Sequence, residues 1–443
     1  MIKPPLILVF DIGKTNKKRL LFDEQYQLVD EEIIQIPETK DEDGFPAEDL
    51  DLLTKWVSDS WEKCQRNNAY QIKAIQVSAY GASLVHLDHL GKPFTALTNY
   101  LKPYPESLSE KFSSLYDRDN QLGIQTASPL LKNLNSGMQL FYLKNERPEI
   151  YNRIRYALHF PQYISSIFSG HYASEITSLG CHTRLWNFQI QAYHSWVHQE
   201  AMTGFFPMIY PGSEAFIRRT DGIPVGIGLH DSSASMIPYI FGCREPFVLI
   251  STGTWSISLN AFNTLPLTRE ELNLDCLCYL SFKGDQVKAS RLFAGHMLDE
   301  YLKKLATQYE KPDREFIQLK PDSDIIGKWM SKDVEVLEAA CNQYAFDHWE
   351  EAYFAGMVRL VLAQKKSTDL VLAGTPVKQI FVDGGFSKNP VFMYLLARLY
   401  PDMKIFASQL AQASARGAAM AMHGHWNHGE RPVVMTDVKH III

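Results

Sequence analysis

The segment PPLILVFDIG, Pro4 to Gly13, constrains the fold more strongly than any other part of the chain. Its apolar residues run without interruption and end in a carboxylate and a glycine, which is typical of a strand buried on both faces. A strand of this kind needs further layers above and below its sheet. The sequence therefore predicts a layered α/β domain at the N-terminus.

The segments that follow support this layered α/β prediction. Residues 17–36 alternate in a way that suits two strands in hairpin succession. Apolar residues at helical spacing predict a helix from Asp49 to Asn67, and residues 72–81 predict another apolar strand. Helical periodicity returns from Gly137 to Tyr151 and from Pro161 to Phe168. The order strand, strand, strand, helix, strand favours an α/β layer architecture.

A second cycle of the same pattern begins near the middle of the chain. Residues 222–240 read as strand, acidic turn and helix, and residues 244–259 read as strand, small polar turn and strand. Gly and Pro cluster between Asp221 and Pro224. We therefore predict two domains of similar size, residues 1–223 and 224–443.

The last part of the chain predicts one more strand between helices. A long amphipathic helix is expected around Trp349 to Gln364, and residues 377–400 read as strand, Gly-Gly turn and helix. A last helix is predicted to start near Ser408. These elements complete an α/β second half.

Charge, cysteine use and hydropathy exclude several classes of protein. The 443 residues carry 44 Lys plus Arg against 50 Asp plus Glu, a formal charge of −6, which disfavours nucleic-acid and anionic-lipid partners. The apolar run Leu6 to Phe10 is too short to span a bilayer. The six cysteines include no C-x-x-C pair, and Cys276 and Cys278 have no second pair at zinc spacing. We expect a reduced, cytoplasmic protein with structural thiols.

The first polar loop resembles a P-loop only superficially. Gly13-Lys14-Thr15 could end such a motif, but the spacing requires a glycine where Leu8 stands. What remains is a carboxylate, Asp11, followed by a turn with hydroxyl, amide and ammonium groups. Such a carboxylate can bind Mg²⁺ through water, and Gly13 lets backbone amides approach an anion. Taken alone, this pattern is more often an ordinary turn.

Two further loops carry candidate chemistry. Residues 251–256, STGTWS, place three hydroxyls and a glycine between two strands, which suits either a phosphate loop or a capped tight turn. Two such loops, one in each half, are more specific, because a nucleotide held between domains needs contacts from both sides. Asp231, after His230, can accept a proton from an attacking hydroxyl or can cap a helix. A hydrolytic triad is excluded, since no G-x-S-x-G elbow is present.

The fourth loop is DGGFSKN, residues 383–389. Its paired glycines allow a flat ring or a phosphate to lie against the backbone, and Asn389 can form hydrogen bonds. The competing interpretation is a tight turn with a helix cap. A G-x-G-x-x-G motif is absent, so a dinucleotide fold has little support.

Together, in this order, the four loops resemble the FGGY family of carbohydrate kinases over nearly the whole chain. The resemblance implies a two-domain, actin-like ATPase (ribonuclease H-like) fold that binds nucleotide and sugar in the interdomain cleft. A D-x-x-G-K-P hairpin from Asp88 to Pro93, and Gly170 with Glu175, add to it. The family's first phosphate motif is met by Asp11, Gly13, Thr15, Asn16 and Lys18.

The resemblance also implies a role for each matching residue, with ATP and Mg²⁺ as cofactors. Asp231 becomes the catalytic base, and Asp11 holds Mg²⁺ through water. The remaining implied contacts are Thr252, Gly253 and Thr254 with the transferred phosphate; Gly384, Gly385 and Asn389 with adenosine; Ala413 and Gly417 beneath the nucleotide; and Gly81, Ala82, Ser83 and His230 with the sugar.

Within the family the chain looks most like the rhamnulokinase and L-fuculokinase branch, whose substrates are 6-deoxyketoses. It departs from that pattern at Ser83, where an aspartate is usual, and at Phe386 and Tyr394, where glycine and glutamine are usual. The latter two changes are expected to reshape the purine pocket. A kinase for xylulose, ribulose or a polyol, a non-catalytic sugar sensor and a plain actin-like ATPase remain alternatives, and homodimer formation stays open.

Overall fold

Two seven-stranded mixed sheets form the frame of the protein in the part of the chain that the structure describes. The computed structural model describes residues 3–119, 121–218, 220–343, 346–408, 410, 412–431 and 438–442. Each sheet contains a central apolar strand, so each half has its own buried sheet. The layered α/β prediction is confirmed.

The first sheet is built around the N-terminal apolar strand. Its spatial order is β5-β6-β4-β1-β2-β3, and β7 also pairs with β4. The central pair β1 and β4 is parallel, whereas β1, β2 and β3 are successively antiparallel. The strands are Pro5–Ile12 (β1), Lys17–Phe22 (β2), Leu28–Ile34 (β3), Gln71–Ala79 (β4), Ala215–Ile217 (β5), Pro224–Gly226 (β6) and Leu229–His230 (β7).

The second sheet repeats the arrangement of the first around its own apolar strand. Its order is β10-β11-β9-β8-β12-β13-β14, with β8 antiparallel to β9 and parallel to β12. The strands are Val248–Thr252 (β8), Ser256–Asn260 (β9), Cys276–Leu280 (β10), Gln286–Leu292 (β11), Gln379–Gly384 (β12), Lys404–Ser408 (β13) and Val438–Ile441 (β14). The predicted second cycle of the pattern is therefore present.

Helices cover both sheets, and short strand pairs close the loops. The longer helices are Leu50–Arg66 (α1), Glu106–Tyr116 (α2), Ser136–Glu146 (α3), Phe160–Ser169 (α4), Ala294–Tyr309 (α5), Ser323–Met330 (α6), Val334–Gln343 (α7), Trp349–Leu372 (α8), Pro390–Leu399 (α9) and Ala413–Ala421 (α10). The shorter helical segments are Leu122–Gln125, Lys132–Leu134, Pro148–Tyr151, Ile176–Leu179, Ser195–Gln199, Thr203–Phe205, Asp231–Ser235, Ile237–Gly242, Arg269–Asn273, Asp313–Ile317, Gly385–Lys388 and His423–Trp426. The short strand pairs are Thr39–Lys40 with Pro46–Ala47, Leu84–Leu87 with Tyr156–His159, Ser174–Glu175 with Ile209–Tyr210, and Trp186–Asn187 with Ala192–Tyr193.

Local sequence signals explain where several of these elements begin and end. The helix predicted from Asp49 to Asn67 is α1, and these two residues are its caps. The Asp49 carboxylate accepts the amide of Leu52, which satisfies a free helix donor. Helix α4 ends at Gly170 in the left-handed conformation, φ +68°, which glycine adopts without strain.

A layer of helices packs between the two sheets and joins them. Helix α10 and the segment Asp231–Ser235 lie here, within one apolar cluster that includes Val9 of the first sheet and Leu249 of the second. Gly417 of α10 allows a close approach, because a Cβ built on it would lie 1.9 Å from the carbonyl oxygen of Ala234. Burial of one continuous apolar cluster therefore fixes the two halves against each other.

The structure corrects three boundaries. The predicted second domain begins at residue 224, but β6 and β7 pair with β4 and so complete the first sheet. The helix predicted to start near Ser408 starts at Ala413, because residues 404–408 pair with β12 as a strand. Strand β14 has no counterpart in the sequence prediction. The helix expected around Trp349 to Gln364 also continues to Leu372.

Candidate active site

Two adjoining cavities lie between the halves, and the same loop separates them. Ser251 and Thr252 line both. The Asp231 cavity, of about 310 Å³, is lined by Tyr80, Gly81, Ala82, Tyr100, Leu134, His182, His230, Asp231, Ser232, Ser251, Thr252, Gly253, Thr254, Trp255, Ile257, Tyr279 and Arg291. The Gly384 cavity, of about 510 Å³, is lined by Lys18, Ser235, Ser251, Thr252, Asp383, Gly384, Gly385, Ser387, Lys388, Ser408, Leu410, Gln412, Ala413 and Ser414. Both have the size of small-ligand sites.

Asp11 and Lys18 are brought together by strand register. They stand opposite each other on the antiparallel pair β1 and β2, and Lys18 Nζ lies 3.7 Å from Asp11 Oδ2. Burial raises the pKa of Asp11 to about 6, the charge of Lys18 opposes this, and the charge of Asp231 adds to it. The charge of Asp231 therefore acts on Asp11 although the two residues are distant in the chain.

The turn between β1 and β2 is held mainly by its own contacts. The Gly13 amide donates to the carbonyl of Asn16 at 2.9 Å. The neighbouring Lys17 is buried, pairs with Glu48 at 2.7 Å and donates to the carbonyl of Gly13. Thr15 and Asn16 are exposed at the tip and line neither cavity. Only Lys18 of this turn lines the Gly384 cavity.

Asp231 opens directly on its cavity at the start of the helical segment that follows β7. Its side chain is 34% exposed, and its Oδ1 accepts the Ser232 amide at 2.6 Å. Its Oδ2 has no hydrogen-bond partner within the described ranges, which leaves it able to accept a proton. Burial raises the pKa of Asp231 to about 6, whereas the hydrogen bonds from Ser232 lower it. The carboxylate has the properties of a general base.

His230 is a buried neighbour of Asp231 that stays neutral. Burial lowers its pKa to about 3. Its Nε2 lies 3.2 Å from Cys181 Sγ and 3.3 Å from Asp231 Oδ1, and its backbone amide donates to Thr177 Oγ1. A neutral imidazole here orients the carboxylate without cancelling its charge.

The loop after β8 contributes to both cavities. Gly253 and Thr254 are exposed and line the Asp231 cavity. The Thr252 hydroxyl, however, donates to the Asp383 carbonyl at 2.5 Å and accepts the Phe386 amide at 3.0 Å. The side chain of Thr252 thus joins the loop after β8 to the loop after β12, and the backbone faces both cavities.

The paired glycines after β12 differ in their surroundings. Gly384 has φ +86°, and a Cβ built on it would lie 1.9 Å from the Thr252 carbonyl oxygen. Gly385 has no heavy atom within 4 Å of such a Cβ. Both line the Gly384 cavity with Ala413. Only at Gly384 does the close approach of two loops require glycine.

Three predicted site residues have structural roles instead. Asn389 caps α9, since its Oδ1 accepts the amides of the second and third helical residues and its Nδ2 donates to Tyr353. Gly417 packs against the segment that carries Asp231 and does not line the Gly384 cavity. Ser83 is buried and donates to the Thr98 carbonyl at 3.1 Å, outside the Asp231 cavity, whereas Gly81 and Ala82 line it.

The two family departures at the purine side lie away from the Gly384 cavity. Phe386 is 6% exposed and stacks on Phe392 with ring centroids 4.6 Å apart, inside the apolar core of the second half. Tyr394 packs against the same core and contacts Arg398. Neither residue lines the Gly384 cavity, and the expectation that they reshape the purine pocket stays a prediction.

Sequence reasoning missed several residues of both cavities. Asp383 is buried at the inner wall of the Gly384 cavity, and burial raises its pKa to about 6. Arg291, His182 and Tyr100 line the Asp231 cavity. Arg291, His182 and Tyr100 each lie in a stretch without a recognisable motif. Only the fold brings them beside Asp231.

Asp11 and Asp231 fit a magnesium site in donor chemistry. Mg²⁺ prefers carboxylate oxygens and usually keeps several waters while bound by one or two protein carboxylates. The described residues contain no group of three or more His, Cys, Asp or Glu arranged as a metal site. An ion at Asp11 would therefore rely on water and phosphate oxygens for its other ligands.

Comparison with known proteins identifies the family. Residues 6–237 match the model "FGGY family of carbohydrate kinases, N-terminal domain", and residues 244–431 match "Carbohydrate kinase FGGY, C-terminal domain". These matches cover well over half of the chain. The chain belongs to the FGGY family of carbohydrate kinases. The kinases of this family use ATP with Mg²⁺, so the predicted family and its cofactors are confirmed.

Solved structures of carbohydrate kinases share the fold over almost the full chain. A carbohydrate kinase from Novosphingobium aromaticivorans has a TM-score of 0.76 at 22% identity, covering 98% of this chain and 96% of that one. A ligand-bound xylulose kinase and a gluconate kinase, both from Lactobacillus acidophilus, have TM-scores of 0.80 and 0.81 at 14% and 15% identity, each covering 99% of this chain and 93% of the other. The predicted two-domain fold is confirmed.

One curated relative matches over part of the chain. The rhamnulokinase of Halalkalibacterium halodurans is 24% identical over 170 residues, 38% of this chain. The match spans about a third of that relative's length, 33%. None of the helices in the described ranges is both long and apolar enough to cross a membrane.

Proposed function

We propose that this FGGY protein transfers a phosphoryl group from ATP to a sugar hydroxyl, with a ketose such as L-rhamnulose or a related 6-deoxyketose as acceptor. The observation that carries the proposal is the position of Asp231. Its free carboxylate oxygen opens on one cavity, and the loop at Ser251 and Thr252 separates that cavity from a second one lined by cations and glycines. This is the arrangement that in-line transfer between two bound substrates requires.

Asp231 would act as the general base. The acceptor hydroxyl lies in the Asp231 cavity and loses its proton to Oδ2 as it attacks the phosphorus atom. With a pKa near 6, the carboxylate is ionised at neutral pH and still basic enough to take the proton. The neighbouring His230 is neutral and leaves this charge uncompensated.

The nucleotide would occupy the Gly384 cavity. Lys18 and Lys388 place positive charge at its wall, and Gly384 and Gly385 let a flat ring or phosphate approach the backbone. Mg²⁺ held at Asp11 through water would neutralise phosphate charge when bound. Exposed backbone at Gly253 and Thr254 faces the point where the transferred group passes between the cavities.

Aromatic walls would keep water from the reacting hydroxyl. Tyr80, Tyr100, Trp255 and Tyr279 line the Asp231 cavity. A water molecule in the place of the sugar hydroxyl would turn the kinase into an ATPase. Exclusion of water on sugar binding is therefore part of the proposed mechanism.

A 6-deoxyketose is the first candidate class of acceptor. The partial likeness to a rhamnulokinase favours a 6-deoxyketose. Ser83 donates to the Thr98 carbonyl and lies outside the Asp231 cavity, so its position does not support the sugar contact expected there. Xylulose, ribulose or a polyol is therefore the second candidate class of acceptor.

ADP release from ATP and Mg²⁺ tests the proposal directly. The panel contains L-rhamnulose, L-fuculose, D-xylulose, D-ribulose, ribitol and D-gluconate, with a control without sugar. We expect one ketose to raise the rate far above the control. Equal ADP release without sugar would favour an ATPase. If no compound in the panel raises ADP release although the protein binds ATP measurably, the sugar-sensor alternative would be favoured.

We also propose a cytoplasmic location, with a small-molecule sugar as the partner. All six cysteines are unpaired, and five are buried, which suits a reducing compartment. Separation of cell fractions followed by immunodetection tests the location.

A further inference from the structure

Arg291 presents one unused donor to the Asp231 cavity. It lies on β11, and its Nη2 and Nε donate to Asp275 at 2.6 and 3.2 Å. The third guanidinium nitrogen, Nη1, has no hydrogen-bond partner within the described ranges. It is also not one of the fully buried polar atoms that lack a partner there, so it retains some exposure. The side chain is only 5% exposed and lines the Asp231 cavity, where its guanidinium carbon lies 5.4 Å from the centroid of the Trp255 ring.

His182 presents an unused acceptor to the same cavity. Its Nδ1 lies 2.8 Å from the Leu134 carbonyl oxygen, which can only accept, so Nδ1 carries the proton. Burial lowers the pKa of His182 to about 3, and the charge of Arg291 adds to this effect, so the ring is neutral. Its Nε2 therefore carries a lone pair. This atom has no hydrogen-bond partner within the described residues and is not fully buried.

The positive charge of Arg291 is already balanced. Asp275 binds the guanidinium through two nitrogens, Nη2 and Nε. The other ionised side chain that lines this cavity, Asp231, is acidic. An incoming carboxylate would meet no uncompensated cation and would face the lone pair of His182.

We propose that Arg291 and His182 together bind one hydroxyl group of the acceptor, and that this pair makes the site select a neutral polyhydroxy compound over an aldonate. The hydroxyl oxygen accepts from Arg291 Nη1, and its proton is donated to His182 Nε2. A carboxylate can accept but has no proton to donate, and a methyl group can do neither. The inference rests on the proposed kinase function and names the chemistry that its acceptor must carry.

The test compares two cavity variants with a matched variant on the same strand. Arg291→Met removes the donor, and His182→Phe removes the acceptor but keeps a ring. Lys288→Met, also on β11, breaks a buried ion pair with Glu271 that lies outside the cavity. We expect the KM of the best acceptor to rise roughly tenfold or more in the first two variants, since each loses a hydrogen bond that discriminates substrates. The KM of ATP should stay within about twofold, as should both KM values in Lys288→Met.

The ratio of kcat/KM for an acidic acceptor to kcat/KM for a neutral acceptor gives a second readout. Wild-type kcat/KM for D-gluconate should be at least about a hundredfold below that for the best neutral sugar. Asp275→Asn leaves the guanidinium charge unbalanced and should narrow this ratio about fivefold or more. If wild type uses D-gluconate as well as the best neutral sugar, or if both cavity variants keep the acceptor KM, the inference is wrong.

Failure of the inference is distinguishable from failure of the kinase proposal. If no acceptor raises ADP release, calorimetric titration of the panel sugars without ATP replaces the kinetic assay. Binding that weakens in Arg291→Met and His182→Phe but not in Lys288→Met would support the hydroxyl contact without catalysis. Binding that is unchanged in the cavity variants, or absent from wild type, would overturn it. Circular dichroism of each variant verifies that it is folded.

Discussion

Lys18 donates a 2.7 Å hydrogen bond to Gln412, 394 positions away in the chain, at the wall of the Gly384 cavity. The contact joins the first sheet to the residue before α10. Gln412 adopts a left-handed conformation, φ +59°, and its amide nitrogen donates to Glu31. The neutral Gln412 amide thus helps to orient the Lys18 ammonium, which also lies 3.7 Å from Asp11 Oδ2.

We expect Lys18→Met to weaken nucleotide binding with little loss of stability. Lys18 is partly exposed, and the loss of one charge-assisted contact with phosphate should raise the KM of ATP about tenfold. Lys17→Met is the matched control, because Lys17 forms a buried ion pair with Glu48. Leaving Glu48 unpaired should cost about 3–5 kcal/mol of unfolding free energy. Thermal melts and ATP kinetics of both variants separate the two roles, and a reversed pattern would contradict the assignment.

Asp231→Asn should remove the base and keep the fold. General-base catalysis contributes roughly 10²- to 10⁴-fold, so kcat should fall by that factor with the best sugar. The amide keeps an oxygen to accept the Ser232 amide, so the melting temperature should not fall. Steady-state kinetics with the best acceptor check this, and near-normal turnover would exclude Asp231 as the base.

Activity should fall on acidification through about pH 6. Asp231 and Asp11 both have pKa values raised to about 6, in each case chiefly by desolvation, and the charge of Asp231 adds to the shift of Asp11. Below that pH, protonated Asp231 cannot accept the hydroxyl proton. The pH profile of kcat/KM should therefore show an acidic limb near pH 6, whereas the buried His230 and His182, with pKa values near 3, add no limb at neutral pH. A limb at pH 4 would indicate an unshifted carboxylate.

Asp11→Asn should stabilise the ligand-free protein at neutral pH. The folded-state pKa of Asp11, about 6, exceeds its usual 3.8, so the folded state binds this proton more tightly than the unfolded chain does. Wild-type stability from this group is present below pH 4 and is lost as pH rises through 6. An asparagine cannot ionise, so the variant's advantage in melting temperature should grow between pH 4 and 7. Paired melts across that range measure it, and a constant difference would contradict the shift.

Gly384→Ala and Gly385→Ala should differ sharply. A methyl group at Gly384 would lie 1.9 Å from the Thr252 carbonyl oxygen and would need an unfavourable positive φ, whereas at Gly385 it meets open space. We expect the first variant to lose both stability and ATP binding and the second to melt within a few degrees of wild type. Differential scanning calorimetry and ATP titration of the two proteins make the comparison. Equal behaviour would mean that the two loops do not approach closely in solution.

Much of the fold follows from local sequence. Apolar runs set the strands β1, β4, β8 and β12, because strands buried on both faces need continuous apolar residues. Capping residues set the ends of α1. The four polar loops were found from their residue types, and Asp231 and Gly384 line the cavities, whereas Asp11 is buried beside Lys18.

The tertiary structure decided which of those residues can reach a ligand. Asn389, Ser83 and Phe386 occupy motif positions, but their side chains make other contacts. Asn389 caps a helix, Ser83 donates to a carbonyl distant in the chain, and Phe386 stacks on another ring. Arg291 and His182 stand in no motif, yet both open on the cavity of Asp231. A motif describes neighbours along the chain, whereas a free hydrogen-bonding atom depends on which distant groups already satisfy it. Packing of the two sheets around one helix layer determines which hydrogen-bonding atoms remain free. Sequence motifs alone do not reveal which atoms these are.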